Sequence, residues 1–422
     1  MEEVIKNFHS TVRVHSAARR LMLVRALRSI GQGMMVVDLA LYLDSLGWSA
    51  AAIGGVLAAG GLTGVVIVIF VGVFSDRFGR KPFLFFYELL IAVCALAAVL
   101  STQFILLFVA VALSGFGKAQ SGAAGPFAPA EQAWLAAYVP APDRGKIYSW
   151  NNGFGFFGMA MGAGLAGVTA LLDYWFPGAV ACRFLFGLIA VLSLVTAFII
   201  LTIPEKKTEK QSESKGEKVG NQEEEVSREE NGAILKLASV NIINGIAVGL
   251  TGPMMSYWFA VQFGASNTQI GGTLAVTFIA TGMTSILQAR LSNKHGTIRS
   301  IVWVRILASL LLLLMPLLSV YALVSIVYLI RTALNRGTQG AQQALSVSLT
   351  RDERRGFASS VNSLSMRIPM SIGPYITGYL FSLGSLALPF FIASGLQFSF
   401  AYLYGRTFRS YDLRMNPRPS TG

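Results

Sequence analysis

Apolar runs of about 20 residues, separated by short polar turns, fill almost the whole chain. Twelve can be read, at approximately 20–43, 51–74, 83–101, 104–127, 146–172, 182–203, 235–262, 268–290, 299–319, 321–346, 356–381 and 386–405. A helix rising about 1.5 Å per residue crosses a hydrocarbon layer of about 30 Å in roughly 20 residues, so each run has the length of one spanning helix. The runs are rich in Gly, Ala, Leu and Phe. They lack the polar–apolar alternation of a membrane-spanning strand, which excludes a β-barrel. The pattern predicts an all-α membrane protein with twelve transmembrane helices.

The runs fall into two sets of six that repeat. Leu46-Gly47-Trp48-Ser49 and Ile53-Gly54-Gly55-Val56-Leu57 recur 217 positions later as Phe263-Gly264-Ala265-Ser266 and Ile270-Gly271-Gly272-Thr273-Leu274. Ser75-Asp76-Arg77-Phe78-Gly79 recurs at the same offset as Ser292-Asn293-Lys294-His295-Gly296. Arg144-Gly145, Asn151 and Gly162 recur at an offset of 211 as Arg355-Gly356, Asn362 and Gly373. Lys118-x-x-x-Gly122 is echoed by Arg336-x-x-x-Gly340. Agreement in order and spacing predicts two pseudo-symmetric six-helix bundles, residues 1–203 and 235–422, joined by a charged linker at 204–234.

Composition agrees with lipid as the main solvent. Of 422 residues, 54% are hydrophobic and 13% charged, with a mean hydropathy of +0.58, whereas a soluble domain carries about 25% charged residues. A soluble enzyme, a disordered scaffold and a collagen-like chain are thereby excluded. Residues 204–231 hold 15 charged side chains with a net charge of −3, so the rest of the chain carries +16. Those cations are dispersed between apolar runs rather than gathered in a stripe, which argues against nucleic acid as a partner.

Arg77, Arg80 and Lys81, then Arg144 and Lys146, Lys294, and Arg351, Arg354 and Arg355 follow the second, fourth, eighth and tenth runs, while Arg183 is the one cation of the opposite loops. This bias places both termini and the linker on the cytoplasmic side of a cell membrane. Cys94 and Cys182 sit in apolar runs, and His9, His15 and His295 in polar flanks, so no disulfide framework or metal site is expected. The first 20 residues show basic side chains without a cleavage signal, and the first run reads as an uncleaved insertion signal.

The loop Gly72-x-x-x-Asp76-Arg77-x-Gly79-Arg80-Lys81 resembles the signature loop of the major facilitator superfamily. With the six-plus-six repeat, the resemblance covers essentially the whole chain. It implies two bundles that rock around a central cavity and expose a midplane site to alternate sides, with Gly72, Asp76, Arg77, Gly79 and Arg80 as the cytoplasmic gate. Independently of the resemblance, a short two-glycine turn lets helices approach, and an acid there can face a helix N-terminus. Asn293 replaces the acid in the second half. The fourth helix of many members carries an arginine with a glycine four positions on; Lys118 and Gly122 stand there in this chain, and lysine, unlike arginine, can release a proton. Gly162-Ala163 stands where family antiporters carry Gly-Pro, a pair present here as Gly373-Pro374.

By the same resemblance helices one, four, seven and ten line the cavity. Ionisable residues inside spans are costly and mark functional sites. Asp38, the deepest acid of helix one, and Lys118 are the candidates for proton coupling. Arg28 and Gln32 share a face of helix one; Arg331, Asn335, Thr338 and Gln342 form a stripe along helix ten; Arg367, Asn151 and Asn362 complete the candidate substrate cavity. Each also has a bracing reading, as a buried link between helices. Glu88 and Arg305, related by the 217 offset, are expected in structural ion pairs, and Glu131 at an interface or in a loop.

No phosphate-binding loop or hydrolase motif is present in the sequence, so the chain is not expected to be an enzyme or an ATP-driven pump. The expected activity is secondary transport without a cofactor, driven by the proton gradient, by a monomer that meets membrane lipid and a small-molecule substrate. Proton-coupled export of small organic compounds leads. A symporter or facilitator for an organic anion is the rival, because Arg28, Lys118, Arg331, Arg336 and Arg367 face only Asp38 on this reading. A transport-dead sensor is a third class.

Overall fold

The computed structural model describes residues 15–117, 128–140, 144–168, 179–205, 221–295, 297–348 and 355–415. The amino-terminal bundle contains α1 (Ser16–Ser45), α2 (Ala50–Phe78), α3 (Lys81–Leu100), α4 (Phe104–Ser114), α5 (Ala128–Ala136), α6 (Arg144–Gly167) and α7 (Ala179–Thr202). The carboxy-terminal bundle contains α8 (Asn221–Thr251), α9 (Met255–Phe263), α10 (Asn267–His295), α11 (Thr297–Leu314), α12 (Tyr321–Gly337), α13 (Gln339–Ser348), α14 (Arg355–Ser382) and α15 (Leu388–Met415). The chain is all-helical across the described residues. Successive spans run antiparallel, so one side carries the ends nearest the linker and the other, the far side, carries Ser45, Ala50, Asn267 and Ser382.

The repeated Gly-x-Ser element is a stop signal followed by a start signal. Gly47 (φ 82°) and Gly264 (φ 61°) end α1 and α9 in the left-handed region, where a side chain would be strained. Two residues on, Ser49 Oγ accepts from Ala52 N at 3.2 Å and caps α2. Ser266 does the same for α10: its Oγ accepts from Gln269 N at 3.3 Å while Gln269 Oε1 accepts from Ser266 N at 3.0 Å, a capping box.

Three of the twelve runs are not single helices. The fourth is interrupted after Ser114, where Gly115 (φ 70°) and Gly117 (φ 76°) both turn left-handed, and it resumes as α5 within the described residues. The seventh breaks between Thr251 and Met255, at Gly252-Pro253, and the tenth at Thr338. Among the described residues α2, α3, α7, α8 and α11 contain stretches long and apolar enough to cross a membrane by length and composition alone.

Glycines set the helix spacing. A Cβ on Gly158 or Gly162 of α6 would overlap the α1 carbonyls of Ala26 or Ile30, and one on Gly249 of α8 the Met370 carbonyl of α14. This is close packing through small residues, the usual way membrane helices approach. The same device joins the bundles on the far side. A Cβ on Gly54 of α2 would overlap the Pro374 carbonyl of α14, and one on Gly271 of α10 would lie 2.5 Å from the Ala163 carbonyl of α6. Gly54→Val is therefore expected to wedge the far ends of α2 and α14 apart, read as faster hydrogen–deuterium exchange at both; unchanged exchange would mean that the backbones adjust.

Candidate functional site

Four helices of the amino-terminal bundle meet at one buried cluster. Arg28 of α1 donates from Nε to Glu88 Oε1 of α3 at 2.5 Å and from Nη1 to Glu131 Oε2 of α5 at 2.9 Å. Arg25 Nη1 lies 3.6 Å from Glu131 Oε1, and Asn151 Nδ2 of α6 donates to the same oxygen at 3.2 Å. All five residues are buried. Two guanidiniums face two carboxylates, so the cluster is neutral. Glu131, expected at an interface or in a loop, is instead 1% exposed and the hub of this network. Arg28 and Asn151, expected at the substrate cavity, direct these bonds to carboxylates within their own bundle.

The carboxy-terminal bundle repeats the cluster with different chemistry. Arg305 of α11, at the position of Glu88 in the repeat, donates from Nε to Thr338 Oγ1 at 3.0 Å. Its Nη1 reaches Asn244 Oδ1 of α8 at 3.1 Å and Asn335 Oδ1 of α12 at 3.0 Å. Asn335 Nδ2 donates to Gln397 Oε1 of α15 at 3.2 Å, and Gln342 Nε2 to Thr338 Oγ1 at 3.0 Å. The Arg305 guanidinium also stands 5.0 Å from the Phe400 ring centroid. Gln342 lies 211 positions after Glu131, so both carboxylates of the first cluster are replaced, one by a cation and one by an amide.

Among the described residues, Arg305, Arg331, Arg336 and Arg367 of the carboxy-terminal bundle have no carboxylate within 4.0 Å. Arg305 and Arg331 are buried, and Arg336 and Arg367 half-buried. After residue 230 the only acids in the sequence are Asp352, Glu353 and Asp412, and the buried Glu230 precedes them in α8. Among the described residues every ion pair within 4.0 Å belongs to the amino-terminal cluster. This corrects the expected interior balance of five cations against Asp38: Glu88 and Glu131 balance Arg25 and Arg28, and the carboxy-terminal arginines are the unbalanced ones. Arg336 stacks 5.5 Å from the Phe278 ring centroid of α10. Arg367 Nε donates to Ser363 Oγ at 3.1 Å on its own helix, α14, and Asn362 Oδ1 accepts from Asn241 Nδ2 of α8 at 2.5 Å. Gln32 is half-buried one turn beyond Arg28.

Asp38 stands apart from both clusters. It is fully buried, and its Oδ1 accepts from Asn267 Nδ2 at 2.9 Å. Asn267 opens α10, where a helix N-terminus favours negative charge. Around it, Ser256 Oγ donates to the Val36 carbonyl and Thr268 Oγ1 to the Gly167 carbonyl, both at 2.7 Å. Asp38 therefore sits in the seam where the bundles close on the far side.

Of the signature loop, Gly79 and Arg80 have described surroundings, while the side chains at Gly72, Asp76 and Arg77 lie outside the described residues, as do Lys118 and Gly122. Gly79 (φ 89°) ends α2. The Glu205 carboxylate, at the start of the linker, accepts from the backbone N–H of Arg80 and, at 3.3 Å, of Lys81, while Lys81 Nζ donates to the Leu201 carbonyl at 2.7 Å. Glu205 was not marked by the sequence. The cap works because a carboxylate favours the first turn of α3, which Arg80 leaves without a side-chain cap, and a Cβ at Gly79 would crowd its oxygens.

Comparison with known proteins accords with this architecture. The chain is 22% identical over 437 residues to the uncharacterized membrane protein YJR124C of Saccharomyces cerevisiae, covering 96% of this chain and 97% of that one. It is 24% identical over 368 residues to multidrug resistance protein 1 of Bacillus subtilis, covering 86% and 89%. A crystal structure of a mutant of the nucleoside transporter NupG superposes with a TM-score of 0.74 at 13% identity, covering 93% of this chain and all of that one. The family model of the Major Facilitator Superfamily matches residues 21–235 and 237–420. The chain belongs to the major facilitator superfamily.

Proposed function

We propose that this transporter is a proton-coupled exporter of small organic compounds, with Asp38 as the proton-carrying group. The observation that carries the reading is the position of Asp38: a buried carboxylate in the seam between bundles, bonded across it to Asn267. Taking on a proton removes the charge that the α10 N-terminus stabilises, so protonation and far-side opening act on one contact. The name of the Bacillus relative supports outward movement of foreign compounds.

Reconstituted liposomes holding a pH-sensitive dye test it. With a proton gradient imposed, adding a transported compound from a panel of lipophilic cations and organic anions is expected to dissipate the gradient. Substrate flux with no accompanying proton movement would identify a facilitator.

A further inference from the structure

The buried polar groups of the two bundles differ in kind as well as in charge. In the amino-terminal bundle, buried side-chain atoms without a hydrogen-bond partner include acceptors, Gln32 Oε1, Glu88 Oε2 and Asn151 Oδ1, beside donors such as Arg28 Nη2. In the carboxy-terminal bundle, Arg331 Nε, Arg336 Nη1, Asn244 Nδ2, Trp258 Nε1 and Gln397 Nε2 are donors without an acceptor beside the Thr332 hydroxyl, and among the described residues no carboxylate or amide oxygen there shares that condition. A buried donor without an acceptor is costly, and a buried guanidinium without a counter-charge more so.

These donors are not scattered. Arg331 is within electrostatic reach of both Arg305 and Arg336. Arg305 is held by three neutral oxygens, on Thr338, Asn244 and Asn335, which fix its position and leave its charge uncompensated. Arg336 is half-buried against Phe278, so its head is fixed by a ring face and its charge remains available to a guest. Close packing holds this part of α12: Thr284 Oγ1 of α10 donates to the Ala333 carbonyl at 2.8 Å, and a Cβ on Gly337 would lie 3.2 Å from the Thr284 carbonyl.

We propose that the carboxy-terminal bundle binds the anionic group of the transported compound, a carboxylate or a phosphate monoester, between Arg331 and Arg336 of α12, with Arg305 adding to the positive field. This rests on the transporter reading above but not on proton coupling. Arginine suits the role because its planar fork donates two parallel hydrogen bonds to either oxyanion.

The test is equilibrium binding to the full-length protein in detergent, with no gradient, followed by thermal unfolding. The probes are acetate, succinate, citrate and glycerol phosphate, with tetraphenylphosphonium as the cationic control. Saturable stabilisation by at least one anion and not by the control is expected; carboxylates and the phosphate ester form separate arms that tell the two oxyanions apart. Arg336→Gln and Arg331→Gln should each weaken that anion tenfold or more, and Arg336→Lys should recover part of the loss. Stabilisation by the cation alone, or by none of the probes, overturns the proposal. So does an Arg336→Gln protein that binds the anion as tightly as the parent, which would make the arginine a brace. Should Arg331→Gln fail to fold, Arg336→Gln, at the more exposed position, carries the test. Anion binding together with flux that ignores the proton gradient would sink the coupling reading and leave this site standing.

Discussion

Arg28→Ala is expected to destabilise the amino-terminal bundle by about 3–5 kcal/mol, the cost of leaving buried charge without its partner. The substitution strands Glu88, which is 0% exposed, leaves Glu131, 1% exposed, with Arg25 alone as its cation, and removes bonds that tie α1 to α3 and α5. Arg25 stands 3.6 Å from Glu131 and already serves that carboxylate. Unfolding in a denaturing detergent titration checks the value. The combined variant Arg28→Met, Glu88→Gln should recover much of the loss, since it removes one charge pair together and leaves Glu131 with Arg25. A midpoint unchanged in Arg28→Ala would show that water reaches the cluster and solvates both acids.

Asp38→Asn is expected to bring gradient-driven transport down to the level of protein-free liposomes. An amide neither takes up nor releases a proton at physiological pH, whereas its oxygen can still accept from Asn267 Nδ2, which now approaches Asp38 Oδ1 at 2.9 Å. The far-side seam and the fold should therefore survive, and exchange of labelled for unlabelled substrate without a gradient should continue. Full gradient-driven flux in Asp38→Asn would remove this carboxylate from the proton path. Loss of both driven flux and exchange would make Asp38 a hinge pin of the closure.

The sequence made the helices legible because lipid demands a long apolar run for each span, and it made the repeat legible because each copy needs a glycine stop and a serine start in the same places. Gly47 and Ser49, then Gly264 and Ser266, were readable as spacing before their geometry was known. The breaks were harder. Gly115 and Gly117 lie in a run whose composition remains that of a membrane helix, and glycine is common in such helices, so hydropathy passes over the turn they make.

Pairing was the least legible feature. Arg28 was read as facing substrate because its closest partners, Glu88 and Glu131, are 60 and 103 positions away on other helices. Nothing local signals such contacts. One trace existed: Glu131 and Gln342 are separated by the same 211 positions as Asn151 and Asn362, which makes Glu131 a position of the repeat rather than of a loop. Arg305 shows the reverse case. It shares its place in the repeat with Glu88, yet it finds amides and a hydroxyl rather than an acid, because the acids themselves were not duplicated.

The uneven distribution of arginine has an electrical consequence. In the proposed alternating-access cycle, the bundle that holds the unpaired arginines is a charged moving part. Carrying an elementary charge through a potential of 100 mV involves about 2.3 kcal/mol, and even a fraction of that field acting on several guanidiniums is enough to tilt an equilibrium between orientations. The neutral cluster of Arg25, Arg28, Glu88 and Glu131 feels almost none of this force. In that cycle membrane voltage pulls on the carboxy-terminal arginines and, in the opposite sense, on the Asp38 carboxylate, and the resting orientation of the empty carrier is expected to shift with it.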